Sequence, residues 1–309
     1  MGSSLSGEMN RQHDRRKKPS RQSQPRRNRN TARGSRGRGQ RGTTPRRNDP
    51  IGVNREASLG GDQVEGRHAV RELLLAGTRR TREVVLANGL AAAPILNDII
   101  DLADEHKVPI RELTRAKFES VTRTEASQGV VASAAPLQSV ELNDLLGDQL
   151  SGGTSDDKPF LLLLDKVTDP QNLGAILRTA ECAGVTGVVL PRHRAAHITP
   201  SVTKAAAGAI EHLRMAVVGG LPAAMQTLRN NNVWTVGLDT GAQQSIHRLA
   251  VANERLALVL GSEGKGLSRL VGERCDVLVS IPLRGALASL NVSAAAAVAC
   301  FEIQARRNS

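Results

Sequence analysis

The sequence predicts an α/β protein of two modules, the second a doubly wound, mainly parallel sheet. Three observations lead there. Between Phe160 and Ile281, short continuous apolar runs alternate with helical patterns, as parallel strands covered on both faces require. Upstream, residues 62–136 carry a shorter alternation of the same kind. Charge is also segregated: residues 1–61 hold sixteen Lys and Arg against four Asp and Glu, which accounts for the whole formal +12 of the 309-residue chain. The basic character belongs to a tail, and the body it precedes is neutral.

That tail is rich in Arg, Gly, Ser, Gln, Asn and Pro and nearly free of apolar residues. It buries too little surface to offset its ordering entropy, so residues 1–61 are expected to be disordered. Arg33-Gly34-Ser35-Arg36-Gly37-Arg38-Gly39 resembles RGG-type nucleic-acid-binding arms, whose arginines contact phosphates and give salt-sensitive affinity. The competing reading is a solubilising tail that binds nothing specific.

Order is expected from about Gln63. Val64-Glu65-Gly66-Arg67-His68-Ala69-Val70 leads into a helix through Leu75, and Glu83–Ala87 reads as a strand. Ile95–His106 has helical periodicity through Ile95, Ile99, Leu102 and Ala103. Val108–Glu112 is a short strand, Thr114 caps a helix containing Phe118, and Gly129–Ala134 is a further strand. Residues 137–157 read as a linker, with some helix around Val140–Leu146 and a polar, turn-rich run at Gly152–Asp157. In residues 158–309, the strands are Phe160–Asp165, Gly187–Leu190, Leu213–Val218, Val233–Leu238, Leu256–Leu260 and Val277–Ile281. The helices are Pro170–Ala183, Ser201–Ala207, Leu221–Arg229, Leu267–Val271 and Val292–Arg306.

Composition excludes several classes. No apolar run is long enough to span a bilayer, and the N-terminus lacks the apolar core and cleavage site of a secretory signal. Met1-Gly2-Ser3-Ser4-Leu5-Ser6 fits the loose myristoylation pattern, but nothing else favours a membrane. Cys182, Cys275 and Cys300 are far apart and odd in number, giving neither a metal spacing nor a disulfide framework; a reducing cytoplasm is the expected home. Phe118, Phe160, Trp234 and Phe301 are the only aromatics, which leaves little for base-stacking platforms. If the body binds RNA, it does so by shape, backbone contacts and hydrogen bonds.

Three segments carry candidate chemistry. In the first, Asp169 is a good N-cap and Pro170 suits the first helical position. Leu173, Ile176, Leu177 and Ala180 form a buried stripe, from which Arg178 is turned away by about 140°. Arg178 alone reads most simply as a surface arginine paired with Glu181, while Asn172 lies in the first turn beside free amides. In the second, Leu260-Gly261-Ser262-Glu263-Gly264-Lys265-Gly266 follows a strand; its glycines let a ligand approach the backbone. It is neither a Walker loop nor a dinucleotide fingerprint. Glu263 could accept hydrogen bonds there or be a solvated loop carboxylate. In the third, Ser289 or Asn291 could cap an Ala-rich helix or face a ligand. Glycine loops at strand ends are where α/β sheets bind ligands, so the three are expected to form one composite site.

Asp169-Pro170-x-Asn172-x-Gly174-Ala175-Ile176-x-Arg178-Thr179-Ala180, Gly261-Ser262-Glu263-Gly264-x-Gly266, and Ile281-Pro282-Leu283 with Ser289-Leu290-Asn291-Val292-Ser293 occur in the order of three family motifs. Together they resemble those of the SpoU (TrmH) family of RNA ribose 2′-O-methyltransferases. Glu65-Gly66-Arg67-His68-Ala69-Val70 and Gln128-Gly129-Val130-Val131-Ala132 resemble the substrate-binding domain of the branch that includes the 23S rRNA guanosine-2′-O-methyltransferase. Ser127 stands where a His commonly precedes the Gln-Gly pair. The resemblance implies a SPOUT-type α/β trefoil-knot domain at residues 158–309, a smaller RNA substrate-binding α/β domain at 62–136, and a homodimer. It implies S-adenosylmethionine as cofactor, held by Gly261, Ile281 and Leu290, with Leu260, Pro282 and Leu283 beside them. Arg178, Asn172, Glu263, Ser289 and Asn291 would form the catalytic centre, with no metal. The implied substrate is RNA, an rRNA guanosine ahead of a tRNA nucleotide or an rRNA adenosine. A non-catalytic RNA-binding or assembly protein is the competing class, and an oxidoreductase is disfavoured by the missing fingerprint.

Overall fold

The computed structural model describes residues 58–125, 127–147, 158–193 and 197–308. The first part of the chain runs through β1 (Ser58–Gly60), β2 (Gln63–Glu65), α1 (Arg67–Ala76), β3 (Thr81–Ala87), α2 (Pro94–Glu105), β4 (Ile110–Leu113), α3 (Arg115–Val121), β5 (Val130–Ala134) and β6 (Leu137–Gln138). Strands β2-β5-β3-β4 form one sheet, with only β3 and β4 parallel. Val70, Leu73, Val84, Ile99, Ala103 and Val130 fill its core. Val64 belongs to β2, and α1 starts only at Arg67 because Gly66 takes φ 101, outside any helical conformation.

Two sequence-based boundaries need correction. Composition assigns residues 1–61 to the tail, yet Ser58–Gly60 is a strand pairing antiparallel with β6, and Leu59 is buried in the core of the second module. Three residues are too few to show an alternation. The Arg33–Gly39 run lies outside the described residues. The linker was placed at 137–157, but its first half is part of the fold. Val140 forms a parallel bridge with Ala216 of the second module, and Leu142–Leu146 forms a 3-10 turn closed by a capping box between Glu141 and Asp144. Leu145 and Leu146 are buried in the core of the second module.

The second module continues with β7 (Phe160–Leu164), α4 (Pro170–Cys182), β8 (Gly187–Pro191), α5 (Pro200–Ala205), β9 (Met215–Val218), α6 (Leu221–Asn230), β10 (Trp234–Leu238), β11 (Leu256–Leu260), α7 (Arg269–Arg274), β12 (Val277–Val279) and α8 (Val292–Arg307). All six strands are parallel, in the order β12-β10-β11-β7-β8-β9. Their apolar runs demand cover on both faces. Residues of α4, α5 and α8 supply one cover, and α6, α7 and the 3-10 turn the other. Leu256 to Leu260 align with Phe160 to Leu164, so β11 and β7 end level and open their loops side by side. The pattern located every large element; differences of one to four residues fall at element ends, where periodicity carries least signal.

Helix α4 leans on α5 through Gly174, where a Cβ would lie 2.4 Å from Ala205 Cβ and 2.9 Å from the Val202 carbonyl. All three cysteines are free. Burial pushes the Cys275 and Cys300 thiols up to about 12, so both stay protonated and unreactive at neutral pH.

If the 3-10 turn is structural rather than a tether, Leu146→Ala leaves a cavity and costs about 2–5 kcal/mol. A thermal or urea midpoint equal to that of the parent chain would restore the linker reading.

Candidate functional site

The parallel register delivers the ends of β7, β10, β11 and β12 to one edge of the sheet, where the loops of the second module gather. After Leu260, the chain folds back on itself. Ser262 N–H donates to Gly266 O at 3.0 Å, and Gly266 N–H returns to Ser262 O at 2.9 Å. Gly264 and Gly266 take φ 77 and 62, and a Cβ at Gly261 would stand 2.1 Å from the Gly266 carbonyl carbon. Gly261 is therefore required by the loop's own closure. Asp165, buried at the end of β7, anchors both sides: its N–H donates to Leu260 O at 2.7 Å and its carboxylate accepts the Ser268 N–H at 2.6 Å.

Beside this loop lies a cavity of about 210 Å³. Leu238, Leu260, Ile281, Leu283, Leu290 and Val292 give it apolar walls; Asp239, Thr240, Ser262, Glu263 and Ser289 add polar groups. Among the described residues, the backbone N–H groups of Gly261, Ile281 and Leu290 have no acceptor. A small apolar cavity with open donors at its wall fits a ligand that is partly hydrophobic and partly hydrogen-bonding.

Behind the cavity, one carboxylate joins the three segments. Asn172 Nδ2 donates to Glu263 Oε2 at 2.9 Å. Asn291 Nδ2 donates to Asn172 Oδ1 at 3.0 Å and to Glu263 Oε1 at 3.4 Å. Both amides are themselves oriented by the starts of their helices. The Asn172 N–H is capped by Asp169 at 2.7 Å, and Asn291 Oδ1 accepts from Ser293 N–H at 2.8 Å and Ser293 Oγ at 2.6 Å.

Of the residues singled out from sequence, Gly261, Ile281, Leu290, Leu260, Leu283, Glu263 and Ser289 line the cavity. Asn172 and Asn291 meet Glu263 but do not line it, and Pro282 is exposed next to Ile281. Arg178 is exposed on α4, outside the lining. Among the described residues no ion pair joins its side chain to Glu181. Sequence reasoning missed Leu238 at the end of β10, Asp239 and Thr240 just after it, and Ala295 of α8. Only the strand order, with β10 beside β11, brings Asp239 to the wall. Among the described residues, no cluster of three or more His, Cys, Asp or Glu could hold a metal ion, and no helix is long and apolar enough to cross a membrane.

Two family models match the chain. That of the SpoU rRNA methylase family covers residues 159–301, and that of the RNA 2′-O ribose methyltransferase substrate-binding domain covers residues 63–140. The chain is 37% identical over 247 residues to YacO of Bacillus subtilis, assigned to the TrmH family of tRNA/rRNA methyltransferases; the match spans 80% of this chain and 96% of that protein. It is also 37% identical over 247 residues to the 23S rRNA (guanosine-2′-O-)-methyltransferase RlmB of Escherichia coli, spanning 80% and 99%. Its fold is similar to that of the SpoU methyltransferase AviRb of Streptomyces viridochromogenes, solved in complex with the cofactor AdoMet, with a TM-score of 0.64 at 21% identity over 80% and 90% of the two chains.

The carboxylate junction makes a direct prediction. Glu263→Gln turns one acceptor into a donor facing an amide donor and so removes one hydrogen bond of the junction, which, with Glu263 and Asn291 exposed to water, costs about 0.5–1.5 kcal/mol. The melting temperature should fall accordingly; a variant as stable as the parent would mean that the three loops do not depend on this contact.

Proposed function

The chain belongs to the SpoU rRNA methylase family, and we propose on that premise that it transfers a methyl group from S-adenosylmethionine to a ribose 2′-OH of RNA, a guanosine of 23S rRNA. The observation that carries this reading is the cavity with three open amides, adjoining a hydrogen-bonded Glu263, Asn172 and Asn291. The 37% identity to RlmB over nearly its whole length supports the choice of rRNA. The cytoplasm is the compartment we assign to this activity.

The residues present fit the cofactor. Gly261, Ile281 and Leu290 would hold it through backbone N–H groups, Leu260 and Leu283 form the apolar wall, and Pro282 stiffens the backbone after Ile281. When bound, S-adenosylmethionine supplies a methyl group already activated by its sulfonium. The work left to the protein is alignment of the 2′-oxygen and help with loss of its proton. Glu263, Asn172 and Asn291 fix the loop that walls the cavity, and Ser289 lines it. A guanidinium is chemically suited to donate hydrogen bonds rather than to accept a proton, so we give Arg178 an orienting role and not that of a base. Exposed on α4, its guanidinium is available to orient an RNA phosphate and to stabilise charge developing on the 2′-oxygen.

RNA is held, in this reading, by the small module. A cleft of about 810 Å³ is lined by Arg67, Asn88, Arg115 and Arg123, among others. Its wall is set by the buried Glu65, which accepts from Arg123 N–H at 2.6 Å and from Thr124 N–H at 3.1 Å. The basic residues 1–57 would add a salt-sensitive tether. We also assign a homodimer and the family's trefoil knot; the exposed Val298 and Phe301 of α8 support the first.

Incubating the full chain with labelled S-adenosylmethionine and 23S rRNA should place label on one ribose, and a 2′-deoxy substitution there should abolish it. Arg178→Lys should lower kcat about 10²-fold and leave cofactor affinity intact, because an ammonium lacks the planar fork. Donor binding with no label in any rRNA or tRNA would replace this reading by a non-catalytic RNA-binding role; near-normal turnover of Arg178→Lys would remove the role given to Arg178.

A further inference from the structure

We propose that Arg79 and Glu211 are positioning residues that hold the RNA-binding module at a fixed offset from the methyl-transfer site, so that their ion pair sets which nucleotide is methylated. This rests on the RNA methyltransferase reading above.

The pair is built for orientation. Arg79 Nε and Nη2 donate to Glu211 Oε2 and Oε1 at 2.8 and 2.7 Å, a bidentate contact between residues 132 positions apart. Its Nη1 donates to Gly61 O and Ala135 O, both at 2.6 Å. Gly61 and Ala135 flank β2 and β5, where the chain passes into and out of the small module. One guanidinium thus ties both crossing points to the second module. The side chains are 7% and 0% exposed. A surface ion pair contributes little; a buried, fully bonded one is strict about geometry, because either charge left alone is costly.

The surrounding contacts are equally specific. Glu211 lies in the 3-10 turn Ala209–Glu211, entered through Gly208 at φ 93. A Cβ on Gly208 would stand 2.3 Å from Glu72 Cβ of α1. Gly61 N–H donates to Ile198 O at 2.8 Å, His212 Nε2 lies 3.1 Å from Glu72 Oε2, and Lys204 Nζ bonds Glu125 O in the cleft loop. The turn and α5 pack directly on α4, which bears Asn172 and Arg178. The small module is therefore referenced to the helix that carries the catalytic residues, not to a distant surface.

The test uses the full chain. In Arg79→Met/Glu211→Leu no charge is left buried and unpaired, so folding is retained while the directional contact is lost. Gly208→Ala attacks the same interface without touching a charge. In both, hydrogen exchange at Gly61 and Ile198 should rise about tenfold or more over the parent. On 23S rRNA, KM should rise about tenfold with kcat and cofactor affinity little changed, as expected when two sites lose their fixed spacing. Label should also spread to riboses neighbouring the parent's single site, and Arg79→Lys should recover part of the KM. Rapid exchange at Gly61 in the parent chain would overturn the proposal, as would variants with raised exchange but unchanged KM and a single product. A parent chain that methylates no RNA defeats the activity reading instead, and the positioning claim falls with it, while the exchange arm still decides whether the pair docks the modules.

Discussion

A carboxylate facing two amide groups makes one site out of three loops. Glu263 receives Asn172 from 91 residues upstream and Asn291 from 28 residues downstream. The glycines around it have no conformational preference of their own to hold the loop in place. Strand register brings the loop ends to one edge, and the back-folded Ser262–Gly266 pair narrows the choice further. Neither aligns the start of α4 with the start of α8. Hydrogen bonds to a charged acceptor do so with directionality, and they exclude arrangements in which any of the three polar groups turns away.

The same logic extends outward. α4 is fixed at its start by Asp169 and Glu263 and along its length by the close approach of Gly174 to Ala205. α5 and the turn after it are fixed to α4, and Arg79 is fixed to that turn. The joint at Gly208 combines a small residue that permits contact with the Arg79–Glu211 pair that makes the contact directional, whereas α4 and α5 meet through close packing at Gly174. Apolar packing alone tolerates sliding and repacking; a buried bidentate ion pair does not. The chain of joints runs from the cavity to the module proposed to hold RNA.

What could be read without coordinates follows from range. Strands such as Leu161–Leu164 and helices such as α4 are written in local apolar periodicity, so they were legible. The composite site was legible because its residues fall in three short motifs, each ending a strand or opening a helix. Asp239 and Thr240 were not, because their place at the cavity depends on β10 lying beside β11. β1 was missed because three residues show no period; the turn at Leu142–Leu146 is legible as helix, but its place in the core is not, because its apolar face is only two residues wide. Arg79 was invisible for another reason: among 42 Lys and Arg, nothing local marks the one whose partner is 132 positions away.

Charge distribution sharpens the division of labour that the proposed function needs. Lys and Arg balance Asp and Glu over residues 62–309, so the folded body has no net field with which to gather a polyanion. Attraction of that kind can come only from residues 1–57 or from local clusters such as Arg67, Arg115 and Arg123. A basic tail raises affinity for every RNA alike and carries no register. If selection among riboses exists, it must then reside in the neutral part, through shape and spacing. The distance between a cleft and a cavity can discriminate neighbouring nucleotides only if it does not fluctuate by the length of one, and a buried ion pair spanning the two modules limits that fluctuation at the point where the chain crosses between them.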